Sequence, residues 1–171
     1  MNPAHQFKLS CSIFILMAWL TSTSAGAASP SALQDQYGIN GSLSDFTGQP
    51  VLAIITSRRK LPWMGRWEKA IRPELPQLNS IRIADITDKP QPTEARIAEM
   101  LRKRAPENVS ILIDLQNQWA SIYELDTTEP CLVLFNSDHK VVAKFRGRPK
   151  GELMNEVMTA LRSYFPAVTE S

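Results

Sequence analysis

At 171 residues the chain holds one domain with room for a short appendage, which excludes a multidomain machine. Its 43% apolar and 21% charged residues lie in the globular range and exclude disordered, collagen-like and disulfide-scaffold classes. Nineteen Lys and Arg against 17 Asp and Glu leave a formal charge of +2, which is no electrostatic footprint for nucleic acid, so any partner is recognised locally.

The first ten residues carry His5 and Lys8 and no acid, and Cys11 to Leu20 follow as an apolar run. That run is too short for a bilayer-crossing helix, which needs roughly 20 apolar residues. With the small residues Ala25-Gly26-Ala27 after it, it reads as a signal peptide over 1–27 and predicts a periplasmic or secreted protein beginning at Ala28. Cleavage leaves no stable membrane span, and a retained anchor is the other reading. Cys11 opens the apolar run rather than closing it, so it belongs to the discarded helix and not to a lipid site. Cys131 is then the lone cysteine of the mature chain and has no internal disulfide partner.

Residues 28–40 read as an N-terminal linker with little periodicity, opening on Ser29-Pro30-Ser31. After the turn Thr47-Gly48-Gln49-Pro50, the continuous apolar run Val51 to Thr56 predicts a strand buried on both faces. Trp67, Ala70, Ile71 and Leu75 recur at helical spacing until Pro73 ends or kinks that helix. Ile81 to Ile86 is a second strand, and Thr93 is an N-cap for a helix carrying Ile97, Met100 and Leu101. Val109 to Leu115 predicts a third strand, followed by a short helix with Trp119, Ile122 and Tyr123 on one face. Cys131–Phe135 and Lys140–Phe145 flank Asn136-Ser137-Asp138-His139 as a hairpin. A last helix over 150–165 places Leu153, Val157, Leu161 and Tyr164 on one face. Alternating strands and helices closed by a hairpin predict a three-layer α/β sandwich with a mixed central sheet.

Two passages carry a resemblance to a known family. Gly41 to Leu52 is similar to the entry of the thioredoxin-like fold, where a short element precedes a glycine-containing turn and the first central strand. Ile113 to Leu125, then Glu129 to Gly147, resembles the fold's helix, proline turn, hairpin and closing glycine in order. The branch it resembles is the redoxins, which include peroxiredoxins and the exported thiol:disulfide proteins of cytochrome maturation. The resemblance implies a thioredoxin-like domain over 41–171 and puts Pro130 where this family carries a cis proline. The bland alternative is a trans proline starting a strand, where no amide donor is needed.

The sequence departs from its relatives at the site that carries their chemistry. Redox-active relatives place two cysteines between the first strand and the next helix, where the helix N-terminus depresses a thiol pKa. Here that stretch reads Thr56-Ser57-Arg58-Arg59-Lys60-Leu61-Pro62-Trp63. An ungapped alignment puts Lys60 and Trp63 at the two cysteine positions. Dithiol exchange needs an attacking thiolate and a resolving thiol, so that activity does not carry over.

Cys131, directly after Pro130, has two readings. As the first residue of an apolar strand it is an inert buried side chain. As a one-thiol catalytic site it would draw on Arg58, Arg59 and Lys60 to favour a thiolate. The basic cluster is either a solvated loop or, with Trp63 and Trp67, a surface that holds an anion or acidic peptide. Arg102-Lys103-Arg104 complements a helix C-terminus. His139 and Cys131 do not complete a metal site, no Gly-x-Ser-x-Gly elbow is present, and Asp85, Asp88 and Asp114 read as carboxylates capping loops at strand ends.

The expected function is therefore an exported binding or assembly module without dithiol chemistry, using no cofactor. Its groove is drawn from Arg58, Arg59, Lys60, Trp63, Glu129 and Pro130, and its partner is an exported protein or peptide. The alternatives are a one-cysteine oxidoreductase or peroxidase using Cys131, and a purely structural domain of a larger exported assembly.

Overall fold

The computed structural model describes residues 30–87 and 90–165; the expected signal segment 1–27 and Asp88 lie outside the described residues. The elements run in chain order as β1 (Leu33–Gln34), β2 (Asn40–Gly41), β3 (Val51–Ser57), α1 (Pro62–Ile71), β4 (Ser80–Asp85), α2 (Glu94–Arg104), β5 (Leu112–Asp114), α3 (Gln118–Ile122), β6 (Cys131–Phe135), β7 (Val141–Arg146) and α4 (Gly151–Tyr164). Five of the strands form one sheet in the order β5-β4-β3-β6-β7. β3, β4 and β5 are parallel, whereas β6 and β7 run antiparallel to their neighbours.

The apolar run of β3 is central, as its composition requires, and the period of two along it divides the core. Leu52 and Ile54 face the layer made by α1, α2 and α4, where Trp67, Ile71, Ile97, Leu101, Val157 and Leu161 pack against them. Val51, Ala53 and Ile55 face the other layer, built from Trp119, Tyr123, Leu33 and Leu43. Trp119, Tyr123 and Phe135 form a cluster of tilted and edge-on rings with centroids 5.3–6.2 Å apart. A mixed sheet covered on both faces is the predicted three-layer α/β sandwich.

Local chemistry sets the element ends. Pro62 opens α1 where its missing N–H costs nothing. Thr93 Oγ1 accepts from Arg96 N at 3.4 Å and caps α2. Asp114 starts α3: its Oδ1 accepts from Gln118 N at 3.0 Å and its Oδ2 from Trp119 N at 2.9 Å, the capping role expected of it.

Four expectations need correction. The segment read as a linker over 28–40 contains β1 and much of the tight hairpin it makes with β2. Buried Gln36 anchors this hairpin by donating to Val109 O at 2.6 Å and accepting from Ile111 N at 2.9 Å. Those bonds occupy backbone groups that the predicted strand over 109–115 needed, and β5 keeps three residues. Ile122 is 37% exposed, because a five-residue helix turns in only Trp119, Ala120 and the Tyr123 that follows. Tyr164 is likewise outward, and Met158 and Phe165 take the inward places with Val157 and Leu161.

Candidate functional site

The register of the sheet assembles the site. Ile55 pairs with Cys131, so Pro130 and Glu129 fall beside Thr56 and Ser57, the last residues of β3, where the chain turns toward α1. Ser57 N donates to Thr127 O at 3.3 Å, and a 3₁₀ turn over Arg58–Lys60 leads into the helix. Lys60 Nζ reaches Glu129 Oε1 at 2.9 Å. The head of α1 and the loop before Pro130 are thus one surface.

A third segment joins them. Gly147 N donates to Pro130 O at 2.8 Å, and Gly147 O accepts from Trp67 Nε1 at 3.1 Å. Gly147 sits at φ +136, which favours glycine, and it delivers Arg148 to the site. Arg148 Nε contacts Glu129 Oε2 at 3.4 Å while its guanidinium lies 4.7 Å from the Trp63 ring centroid. Arg66, one turn further along α1, lies 4.2 Å from the same centroid. Trp63 is therefore flanked by two guanidinium groups, and Glu129 accepts from Lys60 and Arg148 together. The Lys60 hydrogen bond, helped by Arg148, holds the Glu129 carboxyl below its ordinary value.

Of the expected groove residues, the structure brings together Lys60, Trp63, Glu129 and Pro130. Arg59 is exposed at the 3₁₀ turn and Arg58 is half-buried beside it, so both border the surface without entering the Glu129 pair. Arg66 and Arg148 escaped the sequence reading. The closing glycine was a signal for Arg148, since a chain returning to Pro130 must bring its next residue there. Nothing in the one-dimensional pattern singled out Arg66.

Cys131 lies behind this surface, 1% exposed, with Sγ 3.3 Å from Asp126 O and 3.5 Å from Glu129 O. Burial pushes its thiol up to about 11. The cation that opposes this shift is Arg146; Asp126 and Asp85 add to it. The cluster Arg58-Arg59-Lys60 thus does not supply the thiolate stabilisation that a reactive Cys131 would draw on.

Asp85 is buried and accepts from Thr127 Oγ1 at 2.5 Å, which fastens β4 to the loop before Pro130. His139 sits at φ +58 in the hairpin turn with Nε2 3.2 Å from Phe46 O. Arg102 donates to Gln36 O at 2.6 Å and Lys103 pairs with Glu99, so part of the second basic cluster also binds the N-terminal hairpin. Among the described residues, no group of three or more His, Cys, Asp or Glu is placed to hold a metal ion.

No family model and no curated protein matches the sequence. Solved structures do. The exposed lipoprotein thioredoxin Etrx1 of Streptococcus pneumoniae aligns with TM-score 0.62 at 14% identity, covering 77% of this chain and 98% of that one. The thiol:disulfide interchange protein DsbE of Chlorobium tepidum aligns with TM-score 0.52 at 21% identity, over 77% and 93% of the two chains. A thiol peroxidase of Chromobacterium violaceum aligns with TM-score 0.56 at 16% identity, over 81% and 85%.

The protein therefore has a thioredoxin-like fold. The structures it resembles include a thioredoxin, a thiol:disulfide interchange protein and a thiol peroxidase, in line with the redoxin resemblance of its sequence.

Proposed function

We propose that this chain is an exported thioredoxin-like binding or assembly module that works without dithiol chemistry. The observation that carries the reading is the Lys60–Glu129 ion pair, which fills the head of α1 beside Pro130 with charge and no cysteine. Thiol–disulfide exchange needs a thiolate with access to its target, whereas the lone cysteine of the mature chain is buried and its thiol is pushed up. A half-buried Trp63 between two guanidinium groups suits recognition of a protein or peptide. Export is supported by the apolar run and small-residue site at the N-terminus, and by the likeness to an exposed lipoprotein.

The test is activity together with capture. Disulfide reduction of insulin and peroxide turnover are expected to be blank for the wild-type chain and for Cys131→Ser alike. Immobilised wild-type protein is expected to retain a partner from an envelope extract that Trp63→Ala with Arg148→Ala does not. Turnover lost in Cys131→Ser would overturn the reading in favour of a one-cysteine enzyme.

A further inference from the structure

The three segments that meet around Trp63 carry the positive charge of the chain. Residues 58–66, 126–130 and 146–150 hold seven Lys and Arg against Asp126 and Glu129, a local +5 on a chain whose formal charge is +2, so the remainder is net negative. Both acids are already matched, Glu129 by Lys60 and Arg148 and Asp126 by Arg146. Arg59, Arg66 and Lys150 are exposed and pair with no carboxylate among the described residues. Cations gathered at one end of a sheet, with their local acids neutralised, leave a surface complementary to negative charge.

Two of these cations are held in place. The guanidinium carbons of Arg66 and Arg148 lie over the Trp63 ring, 4.2 and 4.7 Å from its centroid. A guanidinium stacked on an aromatic face keeps its N–H donors around its rim, where a carboxylate can meet two of them side by side. Arg66 gives none of these donors to an acceptor among the described residues. Stacking also removes side-chain freedom in advance, which lowers the entropy cost of binding. The large apolar side chains that stand exposed are Tyr37, Ile39, Ile122, Val141 and Tyr164, and none belongs to these three segments. The surface thus offers fixed cations around a half-buried ring and lacks the protruding apolar anchor by which a protein enters a membrane interface.

We propose that the partner of this surface presents an acidic peptide segment, at least two of whose carboxylates face Arg66 and Arg148. This rests on the reading that the surface takes a protein or peptide, and it adds the chemistry of what is taken.

The experiment titrates the protein with a blocked heptapeptide that alternates Glu and Val, followed by calorimetry and backbone amide shifts. In an extended peptide, alternate residues share one face about 6–7 Å apart, which suits two guanidinium groups that share one ring. Saturable binding is expected, with shifts centred on Trp63, Arg66 and Arg148, and the peptide with Gln in place of Glu should bind at least tenfold more weakly. Arg66→Gln should weaken the acidic peptide at least threefold without changing the melting temperature. Lys140→Gln, in the β6–β7 turn at the opposite end of the sheet, removes the same charge and should leave the affinity unchanged. The proposal is overturned if the acidic peptide shows no saturable binding at millimolar concentration, if the Gln peptide binds equally well, if Lys140→Gln weakens binding as much as Arg66→Gln, or if phosphatidylglycerol vesicles hold the protein more tightly than the peptide does. Capture of an envelope partner that depends on Trp63 and Arg148, found together with a silent acidic peptide, would sink the acidic chemistry and leave the binding module standing; loss of both would sink the two together.

Discussion

Lys60 and Glu129 stand 69 positions apart in the chain, yet their charged ends meet at 2.9 Å and join the entrance of α1 to the loop before Pro130. The pair holds the Glu129 carboxyl below its ordinary value, first through the Lys60 hydrogen bond and then through Arg148. Lys60→Met is expected to raise the titration midpoint of Glu129, read by carbon-detected NMR of the carboxyl group. A depressed carboxylate contributes stability that is present above its unfolded-state value and lost as pH falls through the folded one. The wild-type chain should therefore lose this contribution only in acid, below about pH 4.5, and Lys60→Met should show a shallower loss there. Equal acid sensitivity of the two proteins would mean that the contact is absent in solution.

Cys131 is expected to be chemically silent in the folded protein. With its thiol pushed up to about 11, only about one molecule in a thousand carries a thiolate at pH 8. Its 1% exposure blocks the reagent as well. In a chain carrying Cys11→Ser, iodoacetamide should leave the native protein unmodified at pH 8 and label Cys131 fully in guanidinium chloride, as counted by intact mass. Rapid labelling of the native chain would revive the one-thiol reading.

The Glu68–Arg82 pair links α1 to β4 with both side chains largely buried, at 11% and 16% exposure. Removing either partner leaves a charge in the core, so Arg82→Met alone is expected to cost about 3–5 kcal/mol in chemical denaturation. The double variant Glu68→Leu with Arg82→Met removes both charges and should recover most of that loss. Additive single and double effects would show that the two groups act separately.

Gly147 holds the surface together through Pro130 on one side and Trp67 on the other. Its φ of +136 is strained for any other residue, and an added Cβ would stand 2.8 Å from Leu153 Cδ2. Gly147→Ala is expected to lower stability by about 1–3 kcal/mol, read from the denaturation midpoint with an unchanged slope. A neutral substitution would mean that the backbone relaxes there without consequence.

Much of this protein was legible in one dimension because the relevant signals are local. The unbroken apolar run of β3, the Thr93 cap, the stop before Pro73 and the hairpin turn at Asn136–His139 each follow from the few residues that compose them. The lack of a cysteine at the entrance to α1 is likewise a property of sequence alone. Other features depend on contacts between distant segments. Gln36 looked like part of a linker until its side chain met the backbone at Val109 and Ile111. Arg82 carries no local signal of its role, because its partner Glu68 lies on α1, 14 positions away in the chain. The surface around Trp63 needed β3, β6 and the chain after β7 brought to one end of a sheet, because charge pairing and ring contacts act over a few ångströms. Local patterning therefore determined the elements and the residues at the entrance to α1, and only the tertiary register decided which charges and rings came within reach of one another.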